Sequence, residues 1–224
     1  MEQWHGRAVR VERVTAGART YELLVPADCE ALLTDPQVEA RFARDEYMPY
    51  WATLWPGALL LADVVAVWDR PPAGNEPPTV LELGCGLGLV GLVALDRGWC
   101  VIMSDYDEEA LAFAAENARR NALPVPVTRY IDWRQTYPDL GVDRIVAGDV
   151  LYEARNSEPV AEFILRHLRP DGFALVSDAN RSTADPFARV AGEHGLSVTV
   201  TPAQRLAVPG GAPISGRVYH VRRR

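Results

Sequence analysis

The sequence predicts an α/β protein with a doubly wound, mostly parallel seven-stranded sheet and helices on both faces. From residue 79 onward, short apolar segments alternate with amphipathic ones, which is typical of parallel strands joined by right-handed helical crossovers. The first apolar segment runs directly into the glycine-rich turn "GCGLG", residues 84–88, where such folds bind phosphate or nucleoside groups. At 224 residues, the chain has the length of a single domain.

The part of the chain before residue 79 predicts an N-terminal extension and the first helix of the main domain. We assign residues 1–46 to a small β/α extension that belongs to the same domain, and residues 47–224 to the main domain. In the extension, alternating apolar residues predict a β-hairpin, and "PQVEARFARD" predicts a helix. Pro56 stands where a further helix begins, and the four prolines of "PPAGNEPP", residues 71–78, predict a loop.

The rest of the chain continues the alternation of strands and helices. Asp107 is the predicted N-cap of one helix, and Pro170 is expected to stop another before the fifth strand. "LSVTVT" and "GRVYHVR" alternate in the way of paired strands and predict an antiparallel end of the sheet. The predicted parallel strands are 79–83, 100–105, 125–131, 143–150 and 172–178, and the helices between them are 88–98, 107–121 and 159–168.

The composition excludes several classes of function. A net charge of −7 argues against a general nucleic-acid binder. No apolar run is long enough to span a bilayer, and the first residues lack the apolar core of a signal peptide, so we expect a cytoplasmic protein without a membrane partner. Cys29, Cys85 and Cys100 show no metal-ligand spacing, and we expect no metal. The sequence contains no lysine, so all 23 basic residues are arginine.

The string "LELGCGLGLVG", residues 81–91, can be interpreted in two registers. Starting at Gly86 it matches GxGxxG, and Asp105 follows at about the 20-residue distance of a dinucleotide-binding unit, which indicates NAD. Starting at Glu82 it matches ExGxGxG. A carboxylate at this position repels a pyrophosphate but attracts the cationic sulfonium and amino groups of S-adenosylmethionine. Glu82 therefore favours S-adenosyl-L-methionine as cofactor, although a strand-end glutamate can also bond backbone amides.

The predicted parallel strands carry carboxylates at or just past their ends. These residues are Glu82, Asp105, Asp132, Asp149 and Asp178. Because ligands of open α/β sheets bind at the carboxyl ends of the strands, the carboxylates predict a ligand rich in hydroxyl and cationic groups. We expect Asp105 to bind ribose hydroxyls and Asp132 to bind the adenine amine. Trp133 either packs on an adenine face or is buried in the core.

Aromatic residues cluster immediately before the helix that begins at Pro56. The cluster consists of Tyr47, Tyr50, Trp51 and Trp55. One interpretation is a hydrophobic staple that holds the helix to the core. The other is an aromatic wall over the cofactor and a cationic substrate, because aromatic faces attract ammonium and sulfonium groups. The composition alone does not separate the two.

Four segments together resemble family 16 of the seven-β-strand protein lysine methyltransferases: "PYWATLWPGA", "VLELGCGLGLVGLVA", "SDYDEEAL…N" and "GDVLY". The resemblance extends from about residue 50 to the end of the sequence. Its most specific part is "DVLY", residues 149–152, which matches the family's (D/E)xx(F/Y) signature. "VSDANR" is similar to the strand end of the enzymes that methylate the electron transfer flavoprotein β subunit, the group that the chain resembles most. The resemblance implies a class I, Rossmann-like methyltransferase fold.

The resemblance also implies roles for individual residues. Asp149 and Tyr152 would border the substrate lysine. The implied partner is a protein with a target lysine, and the electron transfer flavoprotein β subunit is the first candidate. The residues implied to contact S-adenosyl-L-methionine are Trp55, Gly84, Cys85, Gly86, Asp105, Tyr106, Trp133 and Gly148.

Methyl transfer to lysine requires a neutral amine, whereas free lysine has a pKa of about 10.4. Burial beside Trp51, Trp55 and Tyr152, together with the adjacent sulfonium, is expected to lower this pKa, and Asp149 is expected to orient the amine. Three alternatives remain open. They are a methyltransferase for a small amine, an NAD-linked oxidoreductase from the other glycine register, and a binding module that senses the cofactor without catalysis.

Overall fold

The computed structural model describes residues 2–72, 77–206 and 212–224, and the predicted loop 71–78 lies partly outside this range. Within these residues the strands are β1 (Glu2–Trp4), β2 (Arg7–Ala16), β3 (Arg19–Pro26), β4 (Thr79–Leu83), β5 (Cys100–Asp105), β6 (Val127–Tyr130), β7 (Val142–Gly148), β8 (Leu168–Asp178), β9 (Leu196–Arg205) and β10 (Ile214–Arg223). The helices are α1 (Glu30–Leu33), α2 (Pro36–Asp45), α3 (Pro56–Ala66), α4 (Leu89–Asp96), α5 (Glu108–Arg120), α6 (Ser157–His167) and α7 (Phe187–Glu193).

The main sheet has seven strands in the order β6-β5-β4-β7-β8-β10-β9. β4 is parallel to β5 on one side and to β7 on the other, and β6 and β8 continue the parallel part. β10 pairs antiparallel with both β8 and β9. The predicted sheet and its antiparallel end are confirmed. Because the strand order reverses beside β4, the crevice outside the carboxyl ends of β4 and β7 is the expected ligand position.

Helices cover both faces of this sheet, as predicted for a doubly wound fold. One buried cluster joins the sheet to α3, α4 and α5, and a second joins it to α6 and α7. α4 is buried on nearly all sides, which explains why its sequence "LVGLVALD" is apolar without a polar face. α5 begins after Asp107, whose side chain accepts from the Glu109 N–H, so the predicted N-cap is confirmed.

A separate antiparallel sheet, in the order β1-β2-β3, packs against the α3–α5 face. β2 and β3 form the predicted hairpin. Asn117 of α5 and Asn121, the residue directly after α5, bond the free edge of β3. The Asn117 side chain accepts from the Leu24 N–H at 2.6 Å and donates to the oxygens of Leu24 and Leu87, at 3.3 and 3.0 Å. The Asn121 side chain bonds both backbone groups of Glu22 in the same way. The asparagine amides therefore take the place of a further strand.

The position of Pro170 differs from the prediction. α6 already ends at His167, and Pro170 lies within β8. The pairing with β7 shifts register here, from Val142 opposite Leu168 to Arg144 opposite Phe173, so residues 169–172 form a bulge. Proline fits a bulge because no ladder hydrogen bond needs its missing N–H. The short helix α1 was not predicted from the sequence.

A search for membrane spans among the described residues finds no helix with the length and apolar character needed to cross a bilayer.

We expect Asn117→Ala to lower the free energy of unfolding by about 2–4 kcal/mol, because it leaves the buried Leu24 N–H and two carbonyls without partners. Urea denaturation followed by circular dichroism measures this change. Thr128→Ala, at an exposed position of β6, is the control and should change stability by less than about 0.5 kcal/mol. Equal stability of the two variants would show that the asparagine bonds do not hold the hairpin.

Candidate active site

A cavity of about 430 Å³ opens at the carboxyl ends of β4, β5 and β7, where the strand order places a ligand site. Its size is that of a cofactor or small-ligand pocket. The predicted site residues that line it are Trp55, Gly84, Cys85, Gly86, Asp105, Tyr106, Asp132, Trp133, Gly148, Asp149 and Tyr152. Glu82 is the predicted site residue that does not line it.

The glycine-rich turn forms the floor of the cavity. Gly84, Gly86 and Gly88 all have left-handed φ angles, of 67°, 50° and 82°, which residues with a side chain adopt only with strain. At Gly86 a Cβ would also lie 3.2 Å from the backbone oxygen of Trp51. The Cys85 N–H bonds the Ser104 oxygen of β5 at 2.8 Å. The turn is therefore held closely between β5 and the segment before α3.

Glu82 lies beneath the turn and does not face the cavity, in contrast to the prediction. Its side chain is buried, and one carboxylate oxygen accepts from the Gly91 N–H at 2.9 Å. Burial raises the pKa of Glu82 to about 8. A Cβ at Gly91 would lie 2.5 Å from that oxygen. The third glycine of the GxGxxG pattern is therefore required by close packing of α4 on Glu82, and it does not need to accommodate a pyrophosphate.

Asp105 connects the ends of β4 and β5. One carboxylate oxygen accepts from the Gly86 N–H at 2.8 Å, and the other accepts from the Asp107 N–H at 3.1 Å. Burial, together with the smaller effect of the nearby Asp107 carboxylate, raises the pKa of Asp105 to about 6, against the lowering effect of the Gly86 N–H bond. The carboxylate is thus fixed at the cavity wall and is mostly ionised at neutral pH.

The neighbouring wall consists of Asp132, Trp133 and Arg134, which follow β6. The Asp132 carboxylate forms a two-point ion pair with the Arg134 guanidinium at 2.8 and 2.9 Å. Trp133 lines the cavity and is half-buried against the cluster on the α6–α7 face, and its contact with an adenine ring stays a prediction.

The aromatic cluster before α3 divides into two pairs. Tyr47 and Trp51 are buried, and Trp51 packs on Phe113 of α5. Tyr50 and Trp55 line the cavity, and the Tyr50 ring contacts Tyr152 at a centroid distance of 5.0 Å. The first pair fixes the segment to the core, and the second forms an aromatic wall. Burial raises the pKa of Tyr152 to about 12, which keeps its phenol protonated at neutral pH.

Asp149 occupies the far end of the cavity with a left-handed backbone, φ 57°. Its carboxylate is buried and accepts from the Gly57 N–H in the first turn of α3. The other oxygen lies 3.3 Å from Nε of Arg181, whose guanidinium also lies 5.3 Å from the Trp55 ring. Sequence reasoning did not single out Arg181. Arg181 is the last residue of the segment "VSDANR", which carries part of the family resemblance, but the resemblance assigned no role to this arginine.

Asp178, the fifth strand-end carboxylate, is fully buried and does not line the cavity. It accepts from the Arg181 N–H at 2.8 Å and lies 3.3 Å from the Arg217 guanidinium. Elsewhere in the described structure there is one group of side chains that could hold a metal ion. It consists of Glu158 and Glu162 of α6 and His194 directly after α7, and one potential ligand atom of each lies within 4.8 Å of the others. The His194 nitrogens lie at ion-pair distances from these carboxylates, which accounts for the grouping without an ion.

Comparison with known proteins identifies the family. The profile of a family described as lysine methyltransferase matches residues 45–187, more than half of the chain, so the chain belongs to this family. The ribosomal protein L11 methyltransferase of Thermotoga petrophila is 30% identical over 126 residues, 55% of this chain and 46% of the relative. The histone-arginine methyltransferase METTL23 of Xenopus laevis is 33% identical over 120 residues, 50% of this chain and 49% of the relative. The chain thus spans about half the length of these relatives.

Solved structures agree on the fold. A TehB-like S-adenosylmethionine-dependent methyltransferase from Corynebacterium glutamicum superposes with a TM-score of 0.55 at 19% identity, covering 84% of this chain and 95% of the other. The glycopeptide N-methyltransferase MtfA, bound to S-adenosylmethionine, superposes with a TM-score of 0.53 at 17% identity, covering 68% and 90%. The predicted class I methyltransferase fold is confirmed.

Membership of this family makes S-adenosyl-L-methionine the cofactor, and the NAD alternative is set aside. The cavity fits this cofactor. Asp105 presents a fixed carboxylate of the kind that binds ribose hydroxyls. The carboxylates that line the cavity carry negative charge, which attracts a sulfonium. The Gly84–Gly88 turn leaves room for close approach of a ligand to the backbone.

Affinity for S-adenosylhomocysteine should depend on pH through Asp105. Ribose hydroxyls donate best to the ionised carboxylate, and its pKa in the free protein is about 6. The dissociation constant should be flat above pH 7 and rise about tenfold per pH unit below pH 6. Isothermal calorimetry between pH 5 and 8 measures this, with Asp105→Asn weakening binding and removing the pH dependence. A wild-type dissociation constant that does not change between pH 5 and 8 would contradict a contact between Asp105 and the ribose.

Stability should depend on pH through Glu82. The unfolded group titrates near its usual pKa of about 4.3, and the folded one near 8, so the folded state binds the extra proton and stability falls as pH rises between these values. Glu82→Gln keeps an acceptor for the Gly91 N–H and cannot titrate. Urea denaturation should find the variant more stable than wild type at pH 8, with the difference shrinking toward pH 4. A difference independent of pH would contradict the buried, titrating carboxylate.

Proposed function

We propose that the protein transfers a methyl group from S-adenosyl-L-methionine to a lysine side chain of a protein substrate. The observation that carries the proposal is the far end of the cavity, where the buried Asp149 carboxylate lies beside an aromatic wall of Tyr50, Trp55 and Tyr152. These residues fall in the part of the chain that matches the lysine methyltransferase family. Aromatic rings together with a carboxylate in one cavity suit a long aliphatic side chain that ends in an amine.

The names of the relatives support a protein acceptor. One acts on ribosomal protein L11, another on histone arginine, and the histidine protein methyltransferase 1 homolog of Dictyostelium discoideum, 32% identical over 99 residues, acts on protein histidine. That homology covers 42% of this chain and 32% of the Dictyostelium protein. The family description supports lysine as the target.

The contacts of the far end explain how it would select a neutral amine. When bound, S-adenosyl-L-methionine supplies a methyl group, whose bond to sulfur breaks as the amine nitrogen bonds its carbon. The aromatic wall removes water from the amine. Arg181 beside Asp149 places a positive charge near the amine, in addition to the sulfonium of the bound cofactor. Both effects lower the pKa of a lysine and favour release of its proton to solvent before transfer. Asp149, held by Gly57 and Arg181, would then accept a hydrogen bond from the neutral amine and orient its lone pair.

A small amine is the second candidate acceptor, and one ion pair favours it. Arg155, in the segment after β7, lies 2.7 Å from Glu46, at the end of the extension, and both residues line the cavity. This ion pair links the extension to the segment after β7. The two side chains are 62% and 64% exposed, and such pairs contribute only about 0–1 kcal/mol, so a protein segment can displace it at little cost. The protein acceptor therefore stays the first proposal.

The acceptor can be identified with radiolabelled S-adenosylmethionine, with the electron transfer flavoprotein β subunit as the first candidate. Because the enzyme contains no lysine, any labelled methyllysine found after acid hydrolysis comes from the acceptor protein. Asp149→Asn should reduce transfer by roughly 10²-fold or more, since it disturbs the orientation of the amine, while the affinity for S-adenosylhomocysteine changes little.

The control is Asp171→Asn, at an exposed position of the β8 bulge, which should transfer at the wild-type rate. Label only in small molecules of a lysate would favour the small-amine alternative, and label in histidine or arginine would replace lysine as the target. A parallel loss of cofactor affinity in Asp149→Asn would contradict an acceptor role for this carboxylate.

A further inference from the structure

The helix α2 contacts the segment that carries Asp105, although almost all of α2 lies before the region that matches the family. We call residues 105–107, which connect β5 to α5, the cofactor loop. Three side chains at the end of the extension or directly after it bond this loop. They are Arg41 and Asp45 of α2, and Tyr47 just after it.

Arg41 makes the central contact. Its guanidinium donates to the Asp107 carboxylate at 2.9 Å and lies 3.4 Å from the centroid of the Tyr47 ring. The Asp107 carboxylate is almost completely buried, so the ion pair is protected from solvent on that side. Tyr47 donates its hydroxyl to the same carboxylate oxygen as Arg41. A charge-assisted bond and a ring contact at one site fix the guanidinium in both position and orientation.

The contact continues to the cavity through the backbone of the loop. The Asp107 N–H donates to Asp105, whose other oxygen holds Gly86 of the glycine turn. On the opposite side, the Tyr106 hydroxyl donates to Asp45 at 2.7 Å. Asp107 also caps α5. Movement of α2 away from the loop would therefore release the carboxylate that we expect to bind the ribose.

Arg41 also balances charge. Asp105 and Asp107 place two carboxylates within one short loop, and their repulsion favours an open loop. The Arg41 guanidinium lies against Asp107 and offsets this repulsion. Arg44, three residues further along α2, is exposed and makes none of the hydrogen bonds to the loop described above, so the same helix offers a matched control.

We propose that Arg41 is a positioning residue for S-adenosyl-L-methionine, and that α2 clamps the cofactor loop in its binding geometry. The N-terminal extension is thus part of the cofactor site. The inference depends on the cofactor of the family and not on lysine as acceptor, so its test needs no acceptor.

Isothermal calorimetry with S-adenosylhomocysteine tests the clamp. Arg41→Ala should raise the dissociation constant about tenfold or more, because a charge-assisted bond and a ring contact are lost. Arg41→Lys should recover part of the affinity, since it keeps the charge without the planar fork. Arg44→Ala should stay within about twofold of wild type. Urea denaturation of the same samples separates affinity from stability. Reduced stability of Arg41→Ala with unchanged affinity would overturn the proposal, as would equal losses in Arg41→Ala and Arg44→Ala.

A second measurement uses the wild-type protein and does not depend on whether Arg41→Ala folds. Coupling between two sites is reciprocal, so a cofactor that binds the clamped loop must also hold α2 in place. Saturating S-adenosylhomocysteine should therefore slow trypsin cleavage after Arg41 and Arg44 at least several-fold, as measured by mass spectrometry of the fragments. Cleavage of α2 at the same rate with and without S-adenosylhomocysteine would refute the clamp.

Discussion

The hydrogen bond from the Gly86 N–H to the Asp105 carboxylate joins the ends of two neighbouring parallel strands, and most of the site depends on it. It holds the left-handed glycine turn in place from one side, while Glu82 holds the first turn of α4 from below. Both acceptors are carboxyl groups at strand ends, but they differ in charge. Asp105 lines the cavity and is mostly ionised at neutral pH, whereas Glu82 is buried beneath the turn and, with a pKa of about 8, is mostly protonated. At Asp105 the same carboxylate closes a backbone turn and gives the cavity negative charge, so structure and binding chemistry are not separable there.

Each carboxylate at the end of a parallel strand has a hydrogen-bond or ion-pair partner, and several of these partners are arginine side chains. Arg134 pairs with Asp132, and Arg181 bonds Asp149 while its backbone N–H bonds Asp178. A guanidinium suits such sites because its planar fork can bond a carboxylate and contact an aromatic ring at the same time. A chain in which every basic residue is arginine can thus surround its acidic cavity with side chains that stay charged at all accessible pH values.

Sequence patterns predicted the elements whose causes are local. Examples are the cap at Asp107, the helix start at Pro56 and the strand that ends at Asp105. The direction of the Glu82 side chain could not be predicted, because it depends on the packing of α4. The contact of Arg41 with Asp107 spans 66 residues and joins the extension to the main sheet, and no periodicity encodes such a distance. The same holds for Arg181, whose partner Asp149 is 32 residues away. The role of each of these residues follows from three-dimensional neighbours.

The asparagine side chains along β3 have a consequence for how the protein behaves among other copies of itself. An unpaired strand edge offers a row of backbone donors and acceptors to any extended segment that meets it, and such edges start aggregation. At Glu22 and Leu24 this row is already bonded by Asn121 and Asn117. The β3 edge is therefore closed to strand addition at Glu22 and Leu24, so the two asparagines protect this edge as well as holding the hairpin to the helix.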